Sequence, residues 1–169
     1  ENLEAVVRDI AAKSEKIYSI SGVSKSVDEI LNNHGEINDP RPIIDLMRRI
    51  KSPKEIEYMR EAAIIASNAH ESAMRNSYPG IGEWNIQAMV EGHFLNSESH
   101  WSFPSIVGGG DNGTILHYKN NDSIVEDGYL VLVDAGCEVN GYASDITRTW
   151  PVSGRFSEPQ REIYDLVLK

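Results

Sequence analysis

Cysteine is nearly absent from this sequence. Cys137 is the only one in 169 residues, so no intrachain disulfide can form and an intracellular setting is favoured. Basic residues are also scarce: 16 Lys and Arg stand against 26 Asp and Glu, a formal charge of −10. That balance argues against a nucleic-acid or membrane partner, because both surfaces are anionic. No apolar run approaches the length of a membrane span, and no signal-peptide pattern is present. Gly108-Gly-Gly110 is not a phosphate loop, since no Gly-Lys-Ser/Thr comes after it. Repeats and low-complexity segments are missing too. The remaining composition, 40% hydrophobic and 25% charged, is ordinary for a globular chain.

The two ends read as interruptions. Glu1 opens directly onto an apolar periodic segment, Leu3, Val6, Val7, Ile10 and Ala11, and Lys169 closes an amphipathic one with no stop signal. A fragment of a longer protein is therefore expected. Residues 1–33 read helix, strand (Lys16 to Ile20), helix (Ser24 to Asn33). Asp39-Pro-Arg-Pro42 stiffens the chain at this point, and a domain junction is placed near residues 36–52. Ser52-Pro53-Lys54-Glu55 is a helix start with a capping box. The predicted helix runs over 53–76, with Ile56, Met59, Ala63, Ala66, Ala69 and Ala73 as its apolar stripe. A second helix is predicted near 83–97. His70 and His93 fall on these helices and read as packing or surface residues. Strands are predicted near 105–109, 115–118, 129–135 and 142–150, giving an α+β fold with the helices on one face of a mostly antiparallel sheet.

Two aspartates stand out within the last two strands. Tyr129 to Val133 is a short apolar run leading into Asp134, and Asn140-Gly141 is a hairpin-turn signal because both residues tolerate positive φ. A two-residue turn there makes paired positions sum to 281. Asp134 then faces Thr147 and Asp145 faces Gly136. With side chains alternating at period two, the aspartates become diagonal neighbours on one face. Two converging carboxylates must be neutralised. A shared metal does this, and hard oxygen donors suit Mn²⁺, Co²⁺ or Zn²⁺. The bland alternative is an acidic hairpin with solvated carboxylates.

Further motifs surround this pair. Ile115-Leu-His117-Tyr118, Val133-Asp134-Ala-Gly and Ser144-Asp145-Ile-Thr-Arg-Thr-Trp-Pro151 resemble the X-prolyl aminopeptidases, metallopeptidases of the pita-bread fold. The similarity continues through Gly154-Arg-Phe-Ser and Gln160-Arg-Glu-Ile-Tyr, and begins near Pro42. The resemblance implies a remnant of an N-terminal creatinase-like α/β domain over 1–40. The N-terminal half of a pita-bread catalytic domain, with a curved sheet, would occupy 41–169. It implies two divalent ions, Mn²⁺ first and Co²⁺ or Zn²⁺ as alternatives, with Asp134 and Asp145 as metal ligands. His117 would be the catalytic histidine, helping to bind substrate and move a proton at the scissile bond. The implied substrate is a peptide with proline second, attacked by metal-activated water at the carbonyl before proline.

Two departures qualify the resemblance. The family's other ligands, a His and two Glu, lie beyond the stretch matched here, so the isolated chain is expected to be inactive. Phe103 stands where many relatives carry a Tyr. It keeps the ring as a substrate-site residue but loses a hydroxyl that can support a metal-bound carboxylate. A prolidase remains a close alternative, and a non-catalytic peptide-binding pita-bread module is the alternative of a different class. Methionine aminopeptidase and creatinase-like hydrolases fit less well. A homo-oligomer is expected of the full-length form, in the cytoplasm or mitochondria.

Overall fold

The computed structural model describes residues 2–169, in two compact units that divide between Ser52 and Pro53. In the first unit, helix α1 (Leu3–Ala12) starts at Asn2, whose side chain accepts the Glu4 N–H. Strand β1 (Ile17–Tyr18) and helix α2 (Lys25–Asn32) come next, then β2 (Ile37–Asn38) and α3 (Arg41–Arg49). β1 and β2 pair in parallel, Ile17 opposite Ile37. The strand expected over Lys16 to Ile20 thus shrinks to two paired residues. Helix α3 is an addition to the expected elements, because Pro42 reads in sequence as a stiffener. It sits instead in the first helical turn, where a missing N–H costs nothing. The observed division falls after α3, at the far end of the 36–52 junction.

The second unit is α+β. Helix α4 (Pro53–Asn76) begins at the expected proline, and α5 (Glu83–Asn96) packs along it. The buried residues of α4 are Ala62, Ala66, Ala69, His70 and Ala73. Steps of four, three and four hold one line on a 3.6-residue helix. The expected stripe through Ala63 drifts off that line, and Ile56 and Met59 are exposed. The small alanines let α4 lie close to a core of Ile86, Val90 and Phe94 from α5 and Val107, Val131 and Val133 from the sheet. Each of these larger side chains contributes about 1.5–3 kcal/mol by leaving water.

The main sheet has the order β10-β7-β5, from β5 (Ile106–Gly109), β7 (Leu130–Ala135) and β10 (Ile146–Pro151), all antiparallel. A second sheet joins β4 (His100–Trp101), β8 (Cys137–Val139) and β9 (Tyr142–Ala143). A short pair, β3 (Ile81–Gly82) with β6 (Ile124–Val125), staples the start of α5. Along β7, Val131, Val133 and Ala135 are buried, while Leu130, Leu132 and Asp134 are half-buried. The sheet therefore keeps an open face. Helix α6 (Glu158–Leu168) ends the chain with Ile163, Leu166, Val167 and Leu168 exposed.

The strand expected near 115–118 does not form. A short 3₁₀ helix (Gly110–Thr114) and a turn replace it, with His117 at φ 54°. Ile115 and Leu116 look like strand residues in sequence, yet both are exposed.

Candidate active site

The Asn140-Gly141 turn adopts φ of 50° and 83°, the left-handed pair that a two-residue hairpin requires. The register obeys the expected sum: Thr147 lies opposite Asp134, and Tyr142 opposite Val139. Between these two ladders the hairpin breaks. The Ser144 N–H still donates to Cys137 O at 2.8 Å, but the Cys137 N–H goes to the Ser144 hydroxyl at 3.0 Å. Ser144 O accepts instead from the Ser102 hydroxyl at 2.9 Å. A Cβ at Gly136 would run into the Ser144 carbonyl, so only glycine allows this close crossing. The break divides one long hairpin into β7–β10 and β8–β9, and Asp145 lies in it, outside either ladder.

Asp134, at the end of β7, and Asp145, in the break, lie near enough for the Asp134 carboxyl to act electrostatically on that of Asp145. Desolvation first, then the Asp134 charge and the contact with its carboxyl, raise the Asp145 pKa above the ordinary carboxylate value. Asp134 Oδ1 is buried and has no hydrogen-bond partner. An orphaned carboxylate oxygen beside a second carboxylate is a donor set that fits a hard cation. No group of three or more His, Cys, Asp or Glu side chains arranged to hold a metal occurs among the described residues.

Asp134 also lines a groove of about 280 Å³ on the open face of the sheet, with Ile106, Leu116, His117, Leu132 and Thr147. His117 therefore shares a cleft with Asp134. It reaches the cleft from an exposed turn, not from a strand. Phe103 is half-buried in the bend between β4 and β5 and is not among the groove-lining residues.

One residue near this site has no counterpart among the sequence-predicted ones. Glu83, the first residue of α5, is fully buried. Its Oε1 accepts the Gly109 N–H at 2.8 Å and the Asn112 amide at 3.0 Å. Its Oε2 accepts the Tyr118 hydroxyl at 2.9 Å and the Ser123 N–H at 3.0 Å. A glutamate in the first turn of a helix reads as a favourable dipole contact, so nothing local marks it as a hub. The only pointer is the polar run Asn112, Tyr118 and Asn121 around His117. Desolvation first, and hydrogen bonding within this cluster, shift the Tyr118 hydroxyl pKa up, so it acts as a donor.

The family model for metallopeptidase family M24 matches residues 57–169, more than half of the chain. The chain belongs to metallopeptidase family M24. It is 49% identical over 144 residues to an Xaa-Pro aminopeptidase of Haemophilus influenzae, covering 85% of this chain and 34% of that protein. It is 37% identical over 174 residues to the mitochondrial intermediate cleaving peptidase 55 of Arabidopsis thaliana, covering 99% of this chain and 35% of that one. A Glu→Ala variant of Escherichia coli aminopeptidase P in complex with substrate superposes with a TM-score of 0.89 at 37% identity. That match covers 97% of this chain and 42% of the other. The M24 chain thus has the pita-bread fold, and it spans about a third of the length of the relatives it matches.

Proposed function

We propose that this M24 chain supplies part of the catalytic domain of a metal-dependent Xaa-Pro aminopeptidase, which removes the N-terminal residue from peptides with proline second. The observation that supports this most is the buried, unpartnered Asp134 oxygen, influenced by Asp145 and placed in a groove that His117 also lines. The relatives named as Xaa-Pro aminopeptidase and aminopeptidase P supply the substrate class. Asp134 and Asp145 would hold two divalent ions, Mn²⁺ by preference, with Co²⁺ or Zn²⁺ as alternatives. When bound, such ions acidify water and polarise a peptide carbonyl.

The chain's own residues do the rest. His117 is exposed at the groove, where its imidazole can bind substrate and carry a proton to the departing proline nitrogen. Ile106, Leu116 and Leu132 give the groove apolar walls that suit a proline ring. Phe103 lies off this lining, so a substrate contact from it would require a longer peptide that runs past the groove. Two carboxylates offer at most four oxygens, fewer than two such ions need, so the isolated 169 residues are held to be inactive. The compartment is proposed to be the cytoplasm or mitochondria. No helix among the described residues is long and apolar enough to cross a membrane.

The test uses the full-length protein. It should release the first residue of a peptide with proline second, lose that activity to a chelator and regain it with Mn²⁺. A matched peptide with alanine second should be spared. Equal cleavage of both peptides, or indifference to the chelator, would contradict the reading.

A further inference from the structure

The segment from Gly110 to Ser123 carries His117 yet belongs to no sheet. Outside its 3₁₀ turn, its backbone bonds are Ile115 N–H to Asn112 O at 3.1 Å, Tyr118 N–H to Ile115 O at 3.2 Å, and Ser123 O accepting the Glu83 N–H at 2.9 Å. It also holds two non-glycine residues at positive φ, His117 at 54° and Asn121 at 48°. Such residues are uncommon and persist only where surrounding structure determines them. The groove-side histidine is therefore the strained point of a segment that no sheet holds.

Two α5 side chains one helical turn apart supply the missing order. Gln87 Oε1 accepts the Asn121 amide at 2.9 Å, and Asn121 bridges to β5 through the Val107 N–H at 2.9 Å and Ser105 O at 2.8 Å. Glu83 does more, because its two oxygens take four donors spread across the segment. Gly109 precedes the loop, Asn112 lies in the 3₁₀ turn, Tyr118 adjoins His117, and Ser123 leads out toward β6. Tyr118 is buried under the loop while its neighbour His117 is exposed at the groove. Anchoring the Tyr118 hydroxyl therefore sets the peptide that carries the imidazole. Glu83 is fully buried, so each bond to its carboxylate is strong and costly to leave half-made.

We propose that Glu83 is a positioning residue for His117: a buried carboxylate, gathering four donors, that holds the histidine loop in its catalytic conformation. Glu83 touches neither the substrate groove nor the aspartate pair, and its effect on turnover runs through His117. The inference rests on the proposed role of His117 in Xaa-Pro cleavage. Glutamine is the informative replacement. It keeps the shape of Glu83 but puts an amide N–H where the carboxylate received one, so at one end two donors face each other.

The experiment is a double-mutant cycle in the metal-loaded full-length protein, reading kcat, KM, metal content and Tm. Glu83→Gln should lower kcat by about 10–10²-fold, the scale of a misplaced catalytic group, with metal content unchanged. In the His117→Ala background the same substitution should cost no further kcat. Tyr118→Phe removes one hydroxyl. It should lose about fivefold, the equivalent of one net hydrogen bond, and that loss should also vanish without His117. The Tyr118 hydroxyl also lies 3.1 Å from Asp122 Oδ1. If Glu83→Gln does not fold, Tyr118→Phe therefore carries the test beside Asp122→Ala, which should keep kcat near wild type; an equal loss in Asp122→Ala would overturn the assignment to Glu83. A Glu83→Gln enzyme with full kcat overturns the proposal, as does a loss that multiplies with that of His117→Ala, because a purely structural role adds independently. If His117→Ala itself keeps full kcat, the proposed role of His117 falls as well. If His117→Ala loses kcat and neither Glu83→Gln nor Tyr118→Phe does, only the positioning role falls.

Discussion

At the scale of residues, the Asp134–Asp145 contact has a sign that can be measured. The Asp145 carboxyl has a folded-state pKa raised above its ordinary 3.8, first by desolvation and then by Asp134. A raised acid is favoured by the fold when protonated. Its stabilising contribution is full below the unfolded pKa and is lost as pH rises through the folded one. At neutral pH the metal-free pair therefore works against folding. Asp145→Asn should raise the Tm of metal-free protein at pH 7, by an amount near the ~0.2–1 kcal/mol of an exposed charge pair. The gain should disappear toward pH 3. With Mn²⁺ present the order should invert, since the variant loses a ligand. Thermal melts at two pH values, with and without metal, check this; a variant less stable than wild type when metal-free would count against the carboxylate contact. His117→Ala should leave metal content intact and lower kcat by the ~10²–10⁴ of a positioned proton-transfer group, readable from steady-state kinetics alongside metal analysis.

At the scale of elements, the hairpin break is as important as the hairpin. Gly136→Ala should force the Ser144 carbonyl away and destabilise the chain by about 1–3 kcal/mol, measurable by denaturant unfolding. Metal affinity should fall with it, because Asp134 and Asp145 flank the crossing. An unchanged midpoint and affinity would show that the crossing is tolerant. The Asn140-Gly141 turn and its register are legible in the residues, because a two-residue loop with both φ positive allows one pairing. The break is not legible: it depends on the Ser144 and Ser102 hydroxyls replacing ladder bonds, a choice between partners 42 residues apart. Helix α4 is readable to its ends from Ser52-Pro53 and from Tyr78-Pro79-Gly80. Ile115-Leu-His117 misleads because short apolar runs do not reveal whether a partner strand exists. That segment is decided by Glu83, thirty-five residues away from Tyr118 in sequence.

At the scale of the whole molecule, the second unit presents an apolar groove of about 730 Å³ between α6 and the β7–β10 edge, lined by Leu130, Ile163, Tyr164 and Val167. Exposed apolar area of this kind lowers solubility unless covered. The isolated 169-residue chain should show no cleavage of a peptide with proline second, even with added Mn²⁺; release of product above a chelated control would contradict that. The family and the aspartate pair can be read from the sequence because linked motifs occur in order. The burial of one Asp134 oxygen without a partner cannot, since it depends on packing. Everything proposed for the activity turns on Asp134 and Asp145 holding the metal of an Xaa-Pro aminopeptidase. The most direct measurement is metal stoichiometry and Xaa-Pro cleavage in the full-length protein, with Asp145→Ala beside wild type after chelation and readdition of Mn²⁺. Wild type should recover both bound metal and activity, and Asp145→Ala should recover neither. An Asp145→Ala protein that binds Mn²⁺ normally and cleaves at the wild-type rate would contradict the account.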